Sequence, residues 1–253
     1  MNYFFGLKNE IIKSELQIPL FQNRAPSNLD VRVYEAKVIA GKWKVEETKD
    51  FEKKNDFFIL DNKNISNEKI YFLATKKDLE SFNSSELRIL NKYTSTSPAY
   101  RCNFKVYIEN GGFSSYQAEY PFGMTKVRGN ILTPIGTLLN DKAEKNFLIF
   151  RNILSQPLNL KFEAFFVDIE QRKILKKINF QTNYTNFIEI ENDLIRPQVY
   201  LVTKNFVGIP IYLSIDKEHL SFEHTHPPHA YFFGNDAYKN VKILKEKVNE
   251  IIA

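Results

Sequence analysis

The chain has 253 residues, 43% of them hydrophobic and 14% aromatic, including 22 Phe and 13 Tyr but only 9 Gly. Such a chain can bury a sizeable core, and so little glycine speaks against phosphate-cradling loops and low-complexity disorder. The net charge of +5 is dispersed, with Lys alternating with Glu as in Lys42-Trp43-Lys44-Val45-Glu46-Glu47, so no basic stripe of the kind that grips nucleic acid forms.

The abundance of Phe, Tyr and Ile favours strands, because aromatic and β-branched side chains suit a pleated, half-buried surface. In chain order, alternation predicts strands over 30–38, 57–60 and 69–75. A short helix over 76–82 follows, since Asp78 and Glu80 favour its early turn and Leu79 and Phe82 fall three apart. A second short helical piece is expected over 84–90, and then a polar loop over 94–98. Residues 100–109 alternate, with Cys102, Phe104, Val106 and Ile108 on one face. Asn110-Gly111-Gly112 reads as a hairpin turn, returning as a strand over 113–120. Residues 123–129, with Met124, Lys126 and Arg128, read as a loop, and 131–139 fit no single pattern.

From residue 145 the pattern becomes regular. Strands are expected over 146–151, 158–169, 174–180, 187–190, 198–202 and 209–215, with a last one near 221–226. A terminal helix begins near Asn235 or Asp236, either of which can cap it, and carries Val241, Leu244, Val248 and Ile251 as one apolar stripe. The expected fold is mainly β: an irregular, β-rich region with short helices over 1–140, then an antiparallel β-sandwich over 141–253 closed by the helix. The two parts are also compatible with one continuous domain.

Cys102 is the chain's one cysteine, so no internal disulfide forms, and its apolar setting suits packing better than catalysis. No apolar run reaches the ~18–20 residues of a membrane-spanning helix. The opening MNYFFGLKNE lacks the regions of a secretory signal. A cytoplasmic protein without nucleic-acid or membrane partners is therefore expected.

Three of the four histidines lie in SFEHTHPPHAYFFG, residues 221–234. His224 and His226 share one face of a strand, a geometry that suits two imidazoles on one Zn²⁺ or Fe²⁺. Pro227-Pro228 makes a stiff bend that can return His229 toward them, while Glu223 points to the opposite face. The spacing resembles the metallo-β-lactamase pattern His-x-His-x-Asp-His, but Pro228 stands at the Asp position and no histidine follows His229. Cupins place Glu four or five residues after His-x-His, where this chain has Ala230 and Tyr231. Neither pattern therefore carries a family assignment. The alternative for these histidines is packing at a strand end.

A second constellation is Tyr116, Gln117, Glu119 and Tyr120, flanked by Ser114 and Ser115, where aromatic rings could stack on a sugar while polar groups bond its hydroxyls. No Gly-x-Ser-x-Gly motif supports a serine nucleophile. The leading expectation is a non-catalytic binding or interaction module for a carbohydrate or protein ligand. The rivals are a mononuclear metal enzyme at His224, His226 and His229, and a structural subunit of an assembly joined through a strand edge.

Overall fold

A computed structural model describes residues 2–19, 30–55, 57–88, 102–109, 111–224 and 237–253. Among them the strands are β1 (Asn2–Phe4), β2 (Lys13–Pro19), β3 (Arg32–Ile39), β4 (Lys42–Glu47), β5 (Glu52–Lys54), β6 (Phe57–Leu60), β7 (Ile70–Ala74), β8 (Asn103–Tyr107) and β9 (Phe113–Gln117). They continue as β10 (Glu119–Pro121), β11 (Leu132–Pro134), β12 (Lys145–Arg151), β13 (Lys161–Asp168), β14 (Lys173–Gln181), β15 (Thr185–Ile190), β16 (Val199–Thr203), β17 (Ile209–Asp216) and β18 (His219–His224). The α-helices are α1 (Lys76–Leu79) and α2 (Ala237–Ile252). With 48% strand and 11% helix among the described residues, the chain is mainly β.

The first sheet has the order β10-β1-β7-β3-β4 and the second β5-β6-β2-β8-β9. The third is β15-β12-β17-β18 and the fourth β11-β16-β13-β14. The expected C-terminal sandwich does not form; the four sheets stand in a propeller-like ring of four blades. The physical reason lies in β12 and β17, which are buried on both faces along nearly their whole length. In a two-layer sandwich each sheet keeps one face toward water. Here Phe147, Ile149, Ile211 and Leu213 face a hydrophobic cluster shared with the first two sheets. Leu148, Phe150 and Tyr212, on the opposite face, pack with Phe162, Phe166 and Phe180 of the fourth sheet. Phe150 and Phe180 stack with centroids 4.5 Å apart. Each such buried side chain contributes roughly 1.5–3 kcal/mol relative to exposure.

The outer face of the fourth sheet carries Phe165, Val167 and Val202, which Val248 and Ile252 of α2 cover. Of the stripe expected on the terminal helix, Val248 is buried there and Leu244 and Ile251 pack partly buried beside it, while Ile252 joins them from outside the expected set. The side chain of Val241 and the expected caps Asn235 and Asp236 lie outside the described residues. The β3–β4 hairpin turns at Ala40-Gly41, both at positive φ (48° and 70°), as a tight turn between twisted strands requires. Thr75 caps α1 through a reciprocal box with Asp78: its hydroxyl accepts from Asp78 N, and the carboxylate accepts from Thr75 N.

Three local expectations change. Residues 84–88 form turns and irregular backbone rather than helix. The strand expected over 113–120 breaks at Ala118, so that β9 edges the second sheet and β10 edges the first. Strands β1, β2, β4 and β5 were not expected and complete the first two sheets. The polar loop expected over 94–98 lies outside the described residues.

Candidate functional site

The sequence-selected residues fall in two environments. On β18, Leu220, Phe222 and His224 turn inward while Glu223 is exposed, as strand alternation requires. Tyr116 of β9 meets this face. Its ring lies 4.1 Å from the His224 ring at 49° and 6.1 Å from the Phe222 ring at 85°. The two strands belong to different sheets, and Gly112 brings them together by donating its N–H to Glu218 O at 2.7 Å. A Cβ at Gly112 would sit 3.0 Å from that same oxygen, so the close approach needs glycine. His226 and His229 lie outside the described residues. Among the described residues no three His, Cys, Asp or Glu side chains gather closely enough to hold a metal ion.

Glu119 and Tyr120 point elsewhere. Glu119 is buried and its Oε1 accepts from Cys102 N at 2.9 Å. Tyr120 has no exposed surface and belongs to the core. Neither is presented to a ligand at the surface, which leaves half-buried Tyr116 and exposed Gln117 from that set. Ser114 is half-buried and Ser115 exposed on the same strand. Burial pushes the Cys102 thiol well above its ordinary value, with the Glu119 charge adding to the shift, so the thiolate a nucleophile requires is disfavoured.

A recess forms where residues 125–128 meet residues 154–156. It has a volume of about 330 Å³ and is lined by Thr125, Lys126, Arg128, Leu154, Ser155 and Gln156. Its two walls are fastened by backbone and buried amides. After Pro121 the chain makes a 3-10 turn over Phe122–Lys126, closed by Thr125 Oγ1 donating to Phe122 O at 2.7 Å. Ser155 N donates to Thr125 O at 2.8 Å, joining one wall to the other. Asn183, at φ 55°, accepts from Leu154 N at 2.7 Å and donates to Gln156 O and Leu158 O at 3.1 and 2.8 Å. An Asn in the left-handed region is favoured because its short amide can bond nearby backbone.

The cations are partly engaged. Arg128 Nη2 donates to Gln156 Oε1 at 2.9 Å, and its guanidinium lies 6.0 Å from the Phe206 ring. Lys126 Nζ pairs with Glu86 at 3.3 Å, both side chains about half exposed. A pair so exposed is worth little and exchanges readily with another anion. Ser155 O also accepts from Trp43 Nε1 and from Leu87 N, both at 2.8 Å. The single tryptophan of the chain thus abuts the recess wall.

Comparisons with protein-family models, with curated proteins and with solved structures gave no match. No helix among the described residues is long and apolar enough to cross a membrane. In the sequence, Lys126 and Arg128 read as loop cations. Nothing there connects them to residues 154–156, because the two walls are joined only by tertiary hydrogen bonds.

Proposed function

We propose that this protein is a non-catalytic binding module whose ligand is a small, anionic, hydroxyl-bearing molecule of the carbohydrate class, a sugar acid or sugar phosphate, held in the recess. The observation that carries this reading is the lining itself: two cations, two hydroxyls and an amide around about 330 Å³. That volume lies at the lower end of small-molecule sites. Lys126 and Arg128 answer a carboxylate or phosphate, and Arg can do so with two parallel N–H donors. Thr125, Ser155 and Gln156 can exchange hydrogen bonds with hydroxyls.

Titration with a panel of uronic acids and sugar phosphates, read by calorimetry and by Trp43 fluorescence, tests it. Arg128→Ala is expected to weaken binding roughly 10–100-fold, the worth of a hydrogen bond to a charged group. Higher ionic strength is expected to weaken it further. Silence across the panel, or an Arg128→Ala variant that binds as the wild type does, would sink the proposal.

The rival reading is a mononuclear Zn²⁺ or Fe²⁺ centre on His224, His226 and His229. Its support is the inward placing of His224 at the end of β18. Tag-free protein is then expected to carry one metal per chain, and His226→Ala to lose it. Metal-free protein that also takes up no added Zn²⁺ or Fe²⁺ rules this centre out.

A further inference from the structure

Arg151, the last residue of β12, has no exposed surface. Its side chain shares the strand face of Phe147 and Ile149, turned toward the first sheet. One nitrogen is well served: Nη1 donates to Asn67 O at 2.7 Å and to Thr185 Oγ1 at 2.9 Å. The others are not. Nε and Nη2 are sealed from solvent and make no hydrogen bond among the described residues. The hydroxyl of Tyr120 is sealed too and donates to no acceptor among them, while the backbone N–H of Ile153 bears on its oxygen. Among the described residues, the groups that act on the guanidinium are the hydroxyls of Tyr120, Tyr71 and Tyr184, and no carboxylate is among them. The Phe5 ring, 6.0 Å away, offers a cation–π contact.

These contacts do not balance. A buried guanidinium without a counter-charge costs several kcal/mol, and each unmet buried donor costs about 1–3 kcal/mol more. A desolvated cation–π contact returns about 2 kcal/mol or somewhat more, which falls short of that sum. A neutral acceptor could satisfy a donor but would leave the charge uncompensated. A monatomic anion satisfies several converging N–H and O–H donors at once and neutralises the charge, and it is small enough for an enclosed site.

We propose that a halide, chloride under ordinary conditions, binds inside the protein against Nε and Nη2 of Arg151 and the hydroxyl of Tyr120. The site ties β12 to β10 and so joins the third sheet to the first. It is distinct from the recess, and its failure leaves the binding-module reading untouched.

The test uses the full-length chain with bromide as probe. Crystals grown in bromide are expected to show an anomalous peak within hydrogen-bonding reach of Arg151 Nη2. In solution, sodium chloride is expected to raise the melting temperature about 2–4 °C above sodium methanesulfonate at equal ionic strength. Methanesulfonate is too large for an enclosed site and carries no hydroxyl, so it is not a ligand of the class proposed for the recess. The difference is expected to vanish in Arg151→Met. Should that variant fail to fold, Arg151→Lys, which keeps the charge but lacks the forked donors, is expected to reduce it. No bromide peak at Arg151 overturns the proposal, as does a wild-type melting temperature that is the same in both salts or a difference that persists in the variants.

Discussion

Arg151→Ala is expected to lose about 3–5 kcal/mol of stability, the range for truncating a large buried side chain, while Arg151→Met is expected to keep most of the wild-type value. The asymmetry follows from what each change leaves behind. Alanine opens a cavity between the first and third sheets, beside Phe5, Tyr71 and Tyr120. Methionine fills most of that volume with a flexible apolar chain and removes a buried charge, a replacement that is often neutral or stabilising. Few polar groups are stranded by either change, because Asn67 O keeps the N–H of Thr185 at 2.8 Å. Urea unfolding in methanesulfonate, where no halide contributes, measures both variants. Equal losses would show that the charge, not the volume, holds the site together.

The second large effect is expected in alkali. Burial raises the hydroxyls of Tyr3, Tyr71, Tyr120 and Tyr212 far above their ordinary value of 10. Each is almost or wholly out of solvent. Three donate to protein acceptors: Tyr3 to Arg88 O, Tyr71 to Asn64 O at 3.1 Å and Tyr212 to Thr133 Oγ1 at 3.2 Å. For an acid whose folded value is raised, stability is fully present below the unfolded value and is lost as pH climbs beyond it. Each hydroxyl therefore removes about 1.4 kcal/mol per pH unit above pH 10. Arg151 acts in the opposite sense. Desolvation lowers it well below its ordinary value, to about 9, so above pH 9 the unfolded chain holds the extra proton and stability rises with pH until the unfolded value is passed.

With four groups against one, the net slope above pH 10 is a loss of about 4 kcal/mol per unit, enough to unfold an ordinary domain near pH 12. Tyrosinate absorbance and near-ultraviolet circular dichroism, followed in one titration, check this. The last four tyrosines are expected to ionise in a single step that coincides with loss of tertiary signal. Ionisation of all 13 tyrosines near pH 10 with the fold intact would contradict the burial.

Strand placement after residue 145 was largely legible in the sequence. Of the face expected from Leu160, Phe162, Ala164 and Phe166, the last three share one buried face, whereas Leu160 precedes β13 and is exposed. The unbroken apolar run of Phe147 to Phe150 is what burial on both faces looks like in a sequence, although it says nothing of which sheets cover those faces. Strand β2 escaped notice because its inward position 14 is a serine. That side chain is buried and satisfied by donating to Leu7 O, so the period-2 signal is lost without any cost to the strand. Strand β4 was masked by its edge position: Lys42, Lys44 and Glu46 face water and hide the inward pair Trp43 and Val45.

Alternation along strands such as β8 and β13, and the apolar stripe of the terminal helix, are local properties, and the sequence by itself determined them together with the mainly-β class. The period of a strand reports which side chains share a face, but not what that face meets. Only the tertiary structure decided that four sheets stand where a sandwich was expected, and that Tyr120 is core rather than surface. It alone sealed Arg151, which reads in the chain as an ordinary polar strand end, between two sheets. It alone brought Lys126 and Arg128 to residues 154–156, because contacts between distant segments are set by how sheets stack, and stacking is a property of whole faces rather than of any one stretch of sequence.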